Sequence, residues 1–154
     1  MTFEIRSTDP REPGIRSLID ALDAYQLSLY PAESNHLDSL DELAAANVVF
    51  LCASSGRKIV GCGAVKVLEV PERYGEIKRL YVEPTYRGQG LSRQLLHELE
   101  AHLLDCGVHT ARLETGIRQP EALGLYERMG YRKRTPFGDY VDDPVSVFME
   151  KQLA

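Results

Sequence analysis

Apolar residues recur along this chain with two periods, and the points where the period changes mark the elements. Residues 3–7 (FEIRS) alternate apolar and polar side chains, the pattern of a half-buried strand. Asp9-Pro10 and Pro13-Gly14 then signal a turn. From Ile15 the apolar positions Leu18, Ile19, Leu22, Tyr25 and Leu29 return at helical spacing, and Pro31 ends that helix. The stretch PAESNHLDSL has no period and reads as a loop until Asp38 or Ser39 caps a short helix reaching about Ala45. Three strand-like runs follow: 47–54 (NVVFLCAS), 59–70 (IVGCGAVKVLEV, ended by Pro71) and 76–83 (EIKRLYVE, ended by Pro84). Ser55-Gly56-Arg57-Lys58 joins the first two as a hairpin. The clearest helix spans about Gln89 to Cys106. Leu91, Leu95, Leu99, His102, Leu103 and Cys106 share one face, and Gly107 closes it. Residues 109–114 form a strand, Pro120 opens a helix that stops at Gly130 after Met129, and 131–134 and 145–151 are the last strands.

This order predicts an α/β fold with a mixed, mostly antiparallel central sheet and flanking helices. The strand–helix–strand segment from 76 to 114 makes one parallel pair. A chain of 154 residues fits a single domain spanning 1–154, and 44% hydrophobic with 27% charged residues is the balance of a folded chain. The net charge of -5 disfavours nucleic acid as a partner and is compatible with a cationic one. Cys52, Cys62 and Cys106 are odd in number and lack CxxC spacing, which argues against a disulfide framework or a zinc site. His97 and His102 stand five apart on one helix, His36 in a loop and His109 at a strand start, so no metal ligand set is expected. The N-terminal residues have no apolar leader and no run reaches membrane-spanning length, so a cytoplasmic location without membrane contact is the expectation.

The stretch carrying chemistry is LYVEPTYRGQGLSRQLL, residues 80–96: a strand, a proline turn, a glycine-rich loop and a helix start. Gly88 and Gly90 let backbone approach a ligand closely, the helix N-terminus offers free amides to a pyrophosphate, and Arg87 adds a cation at the rim. The loop is not a P-loop, since no Lys follows Gly90, and not a GxGxxG fingerprint, since Ser92 and Arg93 stand where glycine is needed.

Arg87-Gly88-Gln89-Gly90-Leu91-Ser92 resembles the acetyl-CoA-binding motif of the GNAT acetyltransferases, Q/R-x-x-G-x-G/A, with small Ser92 at the last position. ALGLYERMGYRK, residues 122–133, is similar to a second motif of that family, and the element order matches its fold. The resemblance covers roughly residues 3–151 and is strongest over 76–134. It implies an N-acetyltransferase using acetyl-CoA without a metal. Backbone near Leu80, Tyr81 and Val82 would pair with the pantetheine arm and hold the thioester carbonyl, where a bulge splays this strand from 109–114. Residues 87–92 would hold the pyrophosphate, and Tyr126 would stand near the thioester sulfur. The same resemblance places the acceptor between the loop Tyr30–His36 and the loop Pro136–Tyr140, which offer Tyr30, Glu33, His36, Phe137, Asp139 and Tyr140. Relatives in the family often form dimers.

An ammonium must lose a proton before its nitrogen can attack a thioester, and the departing thiolate gains from a proton donor. Tyr126, a phenol protonated at neutral pH, is the candidate acid. Glu76 is the candidate base, where several family members keep a glutamate, and Glu114, ending strand 109–114, is its rival. Aromatics with carboxylates suit a cationic amine, so a small-molecule amine is the expected acceptor. The alternatives are a protein lysine or N-terminal acetyltransferase, and an acyl-CoA-binding regulatory module without catalysis.

Overall fold

The computed structural model describes residues 2–34 and 37–153. Strands β1 (Glu4–Ser7), β2 (Val48–Ser55), β3 (Lys58–Leu68), β4 (Tyr74–Val82), β5 (Thr110–Gly116), β6 (Arg132–Arg134) and β7 (Ser146–Gln152) form one sheet in the order β1-β2-β3-β4-β5-β7-β6. Every neighbouring pair is antiparallel except β4–β5, the parallel pair joined by the crossover. The helices are α1 (Pro13–Leu29), α2 (Leu40–Leu43), α3 (Leu91–Asp105) and α4 (Pro120–Arg128). The expected elements are all present, and their ends differ for identifiable reasons. Helix α3 starts at Leu91 rather than Gln89 because Gly90, in the left-handed region at φ 79°, occupies its N-cap. Ser39, not Asp38, caps α2, through a reciprocal capping box with Glu42. Strand β4 begins at Tyr74, two residues early, because its pairing with β3 runs on to Leu68.

The strands are covered on both faces. On one, Ile15, Leu18 and Ile19 of α1 and Leu43 of α2 pack with Phe50, Cys52, Cys62 and Ala64. On the other, Leu91, Leu95, Leu96, Leu99 and Leu103 of α3 pack with Leu51, Ala53, Val65 and Ile77. Each fully buried leucine contributes about 1.5–3 kcal/mol of transfer free energy, which holds α3 and the loop before it in place. Gly75 lets α3 lie close to β4, since a Cβ there would overlap a Leu103 methyl. Buried Glu100 of α3 accepts hydrogen bonds from the Tyr131 hydroxyl (2.7 Å) and from Lys151 on β7 (2.9 Å), so it fixes the end of α4 relative to α3. Among the described residues no helix is long and apolar enough to cross a membrane, and no group of three or more His, Cys, Asp or Glu is placed to hold a metal ion.

Candidate active site

The sheet opens in its middle. Strands β4 and β5 pair at Gly75–Ala111, Glu76–Arg112 and Ile77–Leu113, and then separate. Beyond that point β5 continues along β7, and β4 continues along β3. The cause lies in β4. Cys62 faces Tyr81 and Ala64 faces Lys78, so two residues, Arg79 and Leu80, oppose Gly63 alone. Arg79 is the one described non-glycine residue with a positive φ, 54°. The bulge turns the strand and leaves backbone groups of Leu80 to Val82 without partners from β5.

Two cavities meet at this opening. The larger, about 460 Å³, is bordered by Leu80, Tyr81 and Val82, by Arg87, Gly88, Gly90, Leu91 and Ser92, and by Tyr126. These are the expected cofactor residues with one exception: Gln89 is exposed and does not line it. Gly88 and Gly90 both sit at φ 79°, and a Cβ on either would meet open space within 4 Å, so the loop presents bare backbone to the cleft. No side chain caps α3, whose first amides remain available to an anion. This arrangement fits a pyrophosphate group. Arg87 is exposed and borders the cleft, and it has a further role. Its Nε donates to the Val82 carbonyl (2.9 Å) and its guanidinium lies 5.5 Å from the Tyr81 ring, so it braces the turn. The cations that line the cleft besides it are Arg93 and Arg128. Arg93 lies within the glycine-loop motif's own helix, so a wider reading of that motif would have found it. Arg128 had no such signal.

The smaller cavity, about 120 Å³, is lined by Glu76, Lys78, Arg79 and Leu80 of β4, Glu114 of β5, Tyr30 after α1, and Tyr140 of the loop before β7. Buried Glu76 accepts a hydrogen bond from the Tyr140 hydroxyl (2.5 Å) and pairs with Lys78 (3.3 Å), both through Oε2. Its Oε1 makes no hydrogen bond among the described residues. Lys78 also pairs with Asp38 at 3.1 Å. Burial, the Glu76 charge and the hydrogen bond to it push the Tyr140 phenol well above its ordinary pKa, so this hydroxyl is a fixed donor. Glu114 accepts from Ser146 at 2.9 Å. Tyr126 lines both cavities, as do Leu22, Leu80, Gln119 and Ala122. Burial raises its phenol pKa, and its hydroxyl forms no hydrogen bond among the described residues. Its ring is held edge-on to Tyr131 at 5.8 Å.

The expected acceptor residues divide. Tyr30 lines the cavity wall, fixed by its hydroxyl, which donates to Gln119 and accepts from the Arg118 amide, each at 3.1 Å. Glu76, Glu114 and Tyr140 are brought together there. Glu33 and Asp139 do not line it; both point to solvent, as charges in short turns do, and Ser34 stands on the cavity in place of its neighbour. Phe137 does not line it either, because its ring is packed among Tyr74, Tyr140 and Phe148. His36 lies outside the described residues. Lys78 was legible by alternation, since residues 76, 78 and 80 share a strand face. Arg79 was not, because only the bulge brings its side chain round to the same cavity.

The sequence profile of the acetyltransferase (GNAT) family matches residues 15–131. An Azospirillum brasilense protein named IAA acetyltransferase is 42% identical over 149 residues, covering 97% of each chain. The crystal structure of a Klebsiella pneumoniae protein described as an acyl-CoA N-acyltransferase superposes with a TM-score of 0.83 at 40% identity, over 99% of both chains. The PaiA N-acetyltransferase of Thermoplasma acidophilum, solved with coenzyme A, shares the fold at a TM-score of 0.72 and 18% identity, again over 99% of both.

Proposed function

The chain belongs to the acetyltransferase (GNAT) family and is an acetyl-CoA-dependent N-acetyltransferase, and from that premise we propose that its acceptor is a small cationic amine that attacks the thioester directly. One observation carries this reading: Tyr126 stands where the two cavities join, with Glu76 in the smaller one. An acyl donor in the larger cavity and an amine in the smaller would meet beside the Tyr126 hydroxyl. The Oε1 of Glu76 takes a proton from the ammonium, directly or through one water. The amine nitrogen then bonds to the thioester carbon, whose oxygen gathers charge against the free backbone amides of the bulge. The carbon–sulfur bond breaks, the Tyr126 hydroxyl donates to the leaving sulfur, and the second proton shed by the new amide nitrogen returns to the Tyr126 oxygen.

Electrostatics supports a cationic acceptor. Among the described residues in and directly behind the smaller cavity, the carboxylates of Glu76, Glu114, Asp38 and Asp23 stand against two cations, Lys78 and Arg79. Size supports a small one, since about 120 Å³ lies well below the roughly 300–1,000 Å³ of pockets that enclose drug-sized ligands. The test is release of coenzyme A thiol against a panel of short alkylamines, polyamines, arylalkylamines, amino acids and peptides, with IAA added because a relative is named for it. Simple cationic amines are expected to turn over with a kcat/KM that falls as salt screens the attraction. Turnover of peptides alone, or of anions alone, would remove this reading.

A further inference from the structure

Arginine does not adopt the left-handed region without cost, because its Cβ crowds the following carbonyl; glycine takes that conformation freely. A bulge that uses Arg79 at φ 54° must therefore be held by its surroundings. Three contacts do this. The Arg79 guanidinium, 5% exposed, lies 3.3 Å from the Asp23 carboxylate on α1, an ion pair without hydrogen-bond alignment. Its Nη2 donates to the Asp38 carbonyl, just ahead of α2, at 2.7 Å. Its own carbonyl accepts from the Cys62 thiol on β3 at 3.3 Å. The side chain thus ties one residue of β4 to α1, to the segment before α2 and, through its backbone, to β3. Gly63 completes the arrangement, since a Cβ there would come within 3.1 Å of a Leu80 methyl.

We propose that Arg79 is a positioning residue: its side chain clamps the β4 bulge and so holds the edge of Leu80 to Val82 that faces away from β3 unpaired by β5, at the junction of the two cavities. It acts through that backbone and not by touching the amine. The functional consequence rests on the reading that this backbone receives the acyl donor; the structural part does not.

The experiment uses Arg79→Gly, which keeps a residue at ease with positive φ and removes both side-chain anchors, and Asp23→Ala, which removes the α1 anchor and leaves β4 untouched. Amide hydrogen exchange in the ligand-free proteins is expected to quicken at 79–82 by roughly tenfold in Arg79→Gly and less in Asp23→Ala, with 75–77 unchanged. Affinity for acetyl-CoA is expected to fall about tenfold or more, while adenosine 3′-phosphate 5′-diphosphate, which lacks the pantetheine arm, binds within about twofold of wild type. Added guanidinium ion should restore part of the loss in Arg79→Gly. Unchanged exchange at 79–82 overturns the clamp. So does a rise confined to the KM of the amine, which would make Arg79 an acceptor-binding group, and so does an equal loss of both nucleotide ligands. Quickened exchange with no change in acetyl-CoA affinity upholds the clamp and removes the reading of this backbone as the donor site.

Discussion

Replacing Tyr126 by Phe deletes one oxygen at the junction of the two cavities. The ring stays packed edge-on to Tyr131, and because the hydroxyl has no hydrogen-bond partner among the described residues, its loss orphans no group. Stability should therefore change by less than about 1 kcal/mol. The kinetic effect follows from acidities. A thiol leaves with an ordinary pKa of about 8.5, whereas a phenol starts near 10. Burial moves Tyr126 higher still. Full transfer to the sulfur is then uphill, and the benefit is mostly that of a hydrogen bond strengthening as charge develops. We expect an effect at or below the lower part of the range for general acids, a loss in kcat of about 10- to 1,000-fold, or about 1.4–4.1 kcal/mol. Affinity for acetyl-CoA should stay within about twofold, since the phenyl ring preserves the cleft wall. The assay is initial-rate thiol release under conditions where solvent viscosity leaves kcat unaltered, so that chemistry limits the rate. A kcat within about twofold of wild type would refute the assignment.

Glu76→Gln keeps an acceptor for the Tyr140 hydroxyl and removes the base; kcat/KM should fall at least about tenfold with melting temperature nearly unchanged, and an unaltered rate would shift the role to Glu114 or water. Gly90→Glu should abolish the rise in melting temperature that acetyl-CoA gives wild type, a stabilisation of about 2.7 kcal/mol at 100 times Kd, because the carboxylate would face the pyrophosphate. Gly75→Ala should cost about 1–3 kcal/mol in denaturant unfolding, since its methyl would overlap Leu103; a neutral result would mean that α3 shifts freely. Burial pushes the Cys62 thiol up to about 12, and Cys52 is buried as well, so at pH 8 iodoacetamide should label Cys106 alone in the native protein, read by peptide mass spectrometry.

The sequence was most legible where one local rule decides the structure. The leucine period of α3, the glycines of its leading loop and the prolines that end strands each specify backbone without help from distant residues. The two motifs pointed to Tyr126 and the glycine loop, and both border one cleft, because chain order dictates where a crossover helix begins. Legibility failed where loops pack. Phe137 and Tyr140 stand three residues apart in one loop, yet one ring enters a core of aromatics and the other reaches Glu76. No periodicity separates them, since the choice depends on Tyr74 and Phe148 from other strands. Glu33 and Ser34 differ likewise by the pitch of a single 3₁₀ turn. Arg79 is the sharpest case. Strict alternation turns it away from Glu76, and a bulge opposite Gly63 brings it back.

The central claim is that donor and acceptor occupy two cavities at once and react where these meet. Initial rates measured over a grid of acetyl-CoA and amine concentrations test it most directly. The account predicts double-reciprocal lines that intersect, with thiol release matched one for one by N-acetylated product. Parallel lines, together with a protein that carries the acetyl group after exposure to acetyl-CoA alone, would show that the acetyl group passes through an enzyme side chain, and would contradict it.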